Sequence, residues 1–92
     1  MTQTISKEEI ARCRSVQIHL LVGDSRVNRQ IKIKCPFHNE NTASCNLFPN
    51  GGYKCYGCNN SLARPNHGDT IDFVMRLGAT FPEALGELNK YL

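Results

Sequence analysis

Cys35-Pro36-Phe37-His38 and Cys55-Tyr56-Gly57-Cys58, with sixteen residues between them, decide how this 92-residue chain folds. Each tetrapeptide offers two donors separated by two residues, a spacing at which one tight turn aims both at a single ion. Pro36 fixes its own φ and Gly57 tolerates a positive φ, so both suit such turns. Two knuckles of this kind supply three sulfurs and one imidazole, the donor set of a tetrahedral Cys₃His zinc site. Protein groups then fill all four positions and leave none for water or substrate. The expected cofactor is therefore one structural Zn²⁺ held by Cys35, His38, Cys55 and Cys58.

Five cysteines are an odd number and no secretory hydrophobic segment opens the chain, which argues against a disulfide framework. Nor does a strand-then-helix pattern surround Cys55 and Cys58, as a thioredoxin-like redox pair would require. Reduced, zinc-bound cysteines fit the cytoplasm. No apolar run approaches the ~20 residues that span a bilayer, so no membrane partner is expected. With 40% hydrophobic residues and no tryptophan, a core of this size is marginal by itself. Metal binding would add folding free energy on the order of 10 kcal/mol.

Outward from the knuckles, Gln30-Ile31-Lys32-Ile33-Lys34 alternates with period two, placing Ile31 and Ile33 inward and Lys32 and Lys34 outward on a strand that delivers Cys35. Ala43 to Phe48 reads as a second strand. Pro49-Asn50-Gly51-Gly52 is a turn leading to a third, Tyr53 to Cys55. Asn59 to His67 is polar, without periodicity, and reads as a surface loop. Cys13 and Cys45 read as small core residues, and His19 has no partner motif.

Helices are expected on both sides of this sheet. Ser6 and Glu9 form a capping box opening a helix at Lys7 that runs to about Arg14, with Ile5 and Ile10 as its hydrophobic staple. Val16 to Val22 reads as a second short helix, ended by Gly23-Asp24. Asp69 caps a helix through about Leu77, with Gly78 beyond its end, and Asp72 fits the same first turn as a favourable negative charge. Thr80 and Glu83 cap the last one, whose buried stripe is Ala84, Leu85, Leu88 and Tyr91 or Leu92. The fold class is α+β: an antiparallel zinc ribbon with N- and C-terminal helices. One domain is expected over 1–92, with helices and a loop in 1–28, the ribbon in 29–58, and a loop and helices in 59–92.

The formal charge is +3, and three thiolates with one Zn²⁺ bring it to about +2. Its distribution says more, because Arg26, Arg29, Lys32 and Lys34 fall in a stretch without an acidic residue between Asp24 and Glu40. Basic residues interleaved with aromatics suit single-stranded nucleic acid. The candidate contacts are Arg29, Lys32, Lys34 and Lys54 for phosphates and Tyr53 or Tyr56 for stacking on a base. No glycine-rich phosphate loop, Ser/His/Asp set or open metal site occurs, so no catalytic residue is expected in this chain alone.

Four separated segments also resemble a known family, in its order: Cys35 to Thr42, Tyr53 to Cys58, Gly68-Asp69-Thr70-Ile71-Asp72-Phe73-Val74, and Phe81-Pro82-Glu83-Ala84-Leu85. They are similar to the N-terminal CHCC-type zinc-binding domain of bacterial and phage DNA primases, over about Val16 to Leu92. The resemblance implies a module that recognises the single-stranded DNA template and initiation site. A primase catalytic domain, in cis or in trans, would then make the RNA primer, with a replicative helicase as a further partner. It also implies Cys35, His38, Cys55 and Cys58 as the zinc ligands. Tyr56 stands where the family commonly has phenylalanine, Cys45 ends what is usually T-P-S-F, and the loop after Cys58 is longer than usual. The acidic catalytic domain of such primases is not in the sequence, which ends where their zinc domain would. A reading from another class is a zinc-ribbon module that docks onto a replication protein without touching nucleic acid. Salt-dependent DNA binding separates the two.

Overall fold

The computed structural model describes residues 6–37, 43–57 and 65–92. In chain order the elements are α1 (Lys7–Arg14), α2 (Ile18–Leu21), β1 (Ile31–Ile33), β2 (Cys45–Leu47), β3 (Tyr53–Cys55), β4 (His67–Gly68), α3 (Thr70–Arg76) and α4 (Phe81–Asn89). The strands form an antiparallel sheet in the order β1-β2-β3-β4. The expected α+β class, a small antiparallel sheet with helices before and after it, is what the chain adopts.

Alternation along the short strands gives the sheet two unlike faces. Ile31, Leu47 and Tyr53 stand side by side and are buried, as are Cys45 and Cys55 one position pair further on. These residues, with Cys35, Ile18 of α2 and Phe73 of α3, form one core cluster. A second cluster joins Cys13 and Val16 to Ile71 and Val74 of α3 and to Ala84, Leu85 and Leu88 of α4. Helix α3 belongs to both, with Phe73 against the sheet and Ile71 and Val74 against the other helices.

Local chemistry explains most of the element ends. The Glu9 amide donates to the Ser6 hydroxyl at 3.1 Å, starting α1 where expected. The return half of that capping box does not form, because the Glu9 carboxylate instead accepts from the Asn89 side chain of α4 at 2.9 Å. Ile5, the other half of the expected staple, lies outside the described residues. Full reciprocal boxes close the starts of α3 and α4, with Asp69 paired to Asp72 and Thr80 to Glu83. The Thr80 amide holds the Glu83 carboxyl below its ordinary range. Gly78 follows α3 at φ 118, a conformation open to glycine.

The expected stripe of the last helix stops at Leu88, since Tyr91 and Leu92 are exposed beyond its end, and three element bounds change. The helix expected over Val16 to Val22 is a single turn, because Val16 closes the end of α1 through its amide to the Cys13 carbonyl and buries its side chain in the second cluster. The second strand is three residues long. The stretch expected as a loop over Asn59 to His67 ends in β4, which pairs Lys54 with His67 and Tyr53 with Gly68; residues 59–64 lie outside the described residues.

One hydroxyl ties the turn, α1 and α3 together. Thr70 Oγ1 lies 2.6 Å from the Gly51 carbonyl, 3.3 Å from that of Arg14 and in hydrogen-bond contact with that of Val16. Gly51 has φ 94, and a Cβ there would overlap the Arg14 carbonyl oxygen and come within 2.8 Å of the Thr70 hydroxyl. The turn Pro49-Asn50-Gly51-Gly52 is thereby fixed to the helices as well as to its own strands.

Candidate metal centre and nucleic-acid face

The two knuckles begin at the same end of the sheet. Ile33, Cys45 and Cys55 are neighbours across β1, β2 and β3, and Cys35 follows two residues after Ile33. Cys35 and Cys55 are both buried in the sheet cluster, while Pro36 and Gly57 stand in exposed turns. The Ser44 hydroxyl lies 3.6 Å from Cys55 Sγ. The Tyr56 amide donates to the Ser44 carbonyl at 3.1 Å and the Cys55 amide to the Asn66 carbonyl at 2.7 Å, bracing the second knuckle from both sides.

His38 and Cys58, the other two expected ligands, lie outside the described residues. Among the described residues no group of three or more His, Cys, Asp or Glu side chains converges. The donors present fit zinc: two buried sulfurs, brought to one end of the sheet, each opening a knuckle whose second donor follows in sequence. Cys45, directly opposite Cys55, is wholly buried as a core residue, as is Cys13, whose thiol donates to the Leu85 carbonyl at 3.8 Å. Burial pushes the Cys13 thiol pKa up, the more so beside Glu9.

The opposite face of the sheet carries the charge. Register places Lys32, Asn46, Lys54 and His67 in one row across all four strands. Lys32 and Lys54 are exposed and two strands apart, a separation of about 10 Å. Between them Asn46 is buried, with the Gln30 amide donating to its Oδ1 at 3.4 Å and its own amide donating to the Lys54 carbonyl at 3.5 Å. Lys34 is exposed just beyond β1.

The two tyrosines part company. Tyr56 is 67% exposed, and the Lys54 ammonium lies 5.1 Å from its ring centroid. Tyr53 is only 3% exposed, its ring edge-on to Phe73 at 5.3 Å and tilted to Phe37 at 6.1 Å. Its expected role as a stacking aromatic is therefore corrected: Tyr53 and Cys55 point to the same face, so the ring belongs to the core. Burial pushes the Tyr53 hydroxyl pKa up, and a hydrogen bond from Arg76 opposes that rise.

Two further basic residues are positioned by the loop after α2. Arg26 is bound to Asp24 at 2.8 and 3.0 Å, and these hydrogen bonds hold the Asp24 carboxyl down to about 2. Its charge is thus paired locally. Arg29 is exposed, and its carbonyl lies 2.7 Å from Nε2 of the wholly buried His19. A carbonyl only accepts, so His19 Nε2 is the donor, and Nδ1 has no hydrogen-bond partner among the described residues. His19 is thus a strut beneath Arg29. Nothing in the sequence marked it, since its partner is a backbone carbonyl ten residues away. His67, at the end of the lysine row, is exposed, as its place in the expected surface loop implied.

No helix among the described residues is long and apolar enough to cross a membrane. A family described as the CHC2 zinc finger matches residues 4–92. The chain is 38% identical over 77 residues to the DNA primase of Chlamydia trachomatis serovar D, which covers 77% of this chain and 12% of that protein. It is 41% identical over 78 residues to the DNA primase of Chlamydia pneumoniae, covering 83% and 12%, and 39% identical over 69 residues to that of Myxococcus xanthus, covering 73% and 10%. The chain thus matches about an eighth of the length of these relatives.

Proposed function

The chain belongs to the CHC2 zinc-finger family, and from that premise we propose that it is a template-binding module of DNA priming. One Zn²⁺ on Cys35, His38, Cys55 and Cys58 closes the end of the sheet. The outer face beside it takes single-stranded DNA, with Lys32, Lys34, Lys54 and Arg29 meeting phosphates and Tyr56 stacking on a base. Primer synthesis is the work of a separate catalytic domain, in cis or in trans, with a replicative helicase as a further partner.

The observation that carries this reading is the row across the sheet. Two exposed lysines about 10 Å apart, flanked by a 67% exposed tyrosine, offer cations for successive phosphates and a flat surface for a base. The arrangement matches what unstructured single strands require, and the DNA primase names of the relatives agree with it.

Fluorescence anisotropy with short single-stranded DNA at increasing salt tests it. Binding that weakens as salt rises, and is lost in Lys32→Glu/Lys54→Glu, supports the reading. Absence of binding at low salt, with the zinc-loaded chain folded, would favour docking onto a replication protein.

A further inference from the structure

A cleft of about 690 Å³ opens where the lysine row ends. His67 belongs to both, standing beside Lys54 in the row and lining the cleft. Inside, the Arg76 guanidinium lies over the Phe37 ring, 4.3 Å from its centroid, and Arg76 Nη1 donates to the Pro65 carbonyl at 3.1 Å. The Phe37 ring is in turn edge-on to Phe73 at 5.1 Å, so this flat layer rests on the core. Asp72 lines the cleft, and its Oδ2 accepts from the Asp69 amide at 3.0 Å, which fixes the carboxylate. Met75 and Leu77, 38% and 56% exposed, form an apolar rim.

We infer that this cleft takes one unstacked nucleobase of the strand whose backbone follows the lysine row. The inference rests on the proposed DNA-binding reading and adds a subsite to it. Bases splayed from a single strand stack on aromatic rings and on guanidinium planes, and the Arg76 and Phe37 layer supplies both in one place. A carboxylate accepts from an exocyclic amine, so Asp72 favours cytosine, adenine or guanine over thymine. The volume lies within the ~300–1,000 Å³ usual for small-molecule sites and leaves ample room for one base. His67 stands at the β4 edge between the lysine row and the cleft, whose lining includes Tyr53 of the inner face, so a strand that turns over this edge reaches both.

The test follows the Met75 methyl and Arg76 Nε signals of the zinc-loaded, isotope-labelled chain by NMR. The probes are a deoxycytidine tetranucleotide, a thymidine tetranucleotide and an abasic chain of the same length. The expected result is that Lys32 and Lys54 amides shift with all three. Met75 and Arg76 shift with the cytidine probe, more weakly with thymidine and not with the abasic chain. Arg76→Gln, with its amide spectrum intact, should lower cytidine-probe affinity at least about fivefold and leave abasic affinity unchanged. Shifts along the row with a silent cleft, equal shifts from the abasic chain, or unchanged cytidine affinity in Arg76→Gln would overturn the subsite while leaving the DNA-binding reading in place. No shift anywhere would overturn both.

Discussion

The ammonium of Lys54 lies over the ring of Tyr56, so a cation and an exposed aromatic surface occupy one spot on the outer face of the sheet. The pair orients the ring without burying it. Stacking of one base on such a ring contributes ~1–3 kcal/mol. Tyr56→Ala is therefore expected to weaken single-stranded DNA binding by at least about fivefold, while Tyr56→Phe keeps most of the affinity. Anisotropy titrations of the three proteins at one salt concentration check this.

Charge on the row has a separate signature. Each phosphate neutralised on a single strand contributes about 0.7 to the slope of log K against log salt. Lys32→Gln and Lys54→Gln should each reduce that slope by about 0.7, and the double variant by about 1.4. Arg26→Gln should leave it unchanged, because Arg26 is already paired with Asp24.

Asp24 itself gives a prediction on pH. Hydrogen bonds from Arg26 depress its folded pKa from 3.8 to about 2, so its contribution to stability is present above about 4 and is lost as pH falls toward 2. NMR titration of the Asp24 side-chain carbon should give a midpoint near 2. Arg26→Ala should move it back toward 3.8.

Gly51 is where the turn meets the helices. Gly51→Ala places a methyl group against the Arg14 carbonyl and the Thr70 hydroxyl at a φ that L residues avoid. Such overpacking with backbone strain should cost about 2–4 kcal/mol, visible as an early midpoint in denaturant unfolding. Gly86→Ala is the control, since nothing stands within 4 Å of a Cβ there and the site is a helix interior. It should be neutral or stabilising by about 0.5–1 kcal/mol.

Much of the fold was legible because its signals are local. Ser6, Asp69 and Thr80 each start a helix where a capping residue stands, and the glycines of the 49–52 turn sit between two strands. Strand β4 was not legible. It is two residues long, and it forms because Asn66 is held by both backbone groups of Cys55, a contact across eleven residues. The burial of Tyr53 is legible in the alternation of Tyr53, Lys54 and Cys55, which puts the tyrosine on the side of the inward cysteine. The lysine row itself lies in the register, which the order of Lys32 and Lys54 along the chain does not reveal.

The metal prediction separates the five cysteines. Native mass spectrometry of the intact chain should find one zinc, retained in Cys13→Ser and Cys45→Ser and lost in Cys35→Ser, Cys55→Ser and Cys58→Ser. Chelation should unfold the ribbon, because structural zinc contributes on the order of 10 kcal/mol.

The most direct test of the account is a map of amide shifts on adding single-stranded DNA to the zinc-loaded chain. Shifts are expected on the outer face of the sheet, at Lys32, Asn46, Lys54, Tyr56 and His67, and in the adjoining cleft at Met75 and Arg76, with α1 and α4 silent. Shifts centred on α1 and α4, or none at low salt, would contradict it.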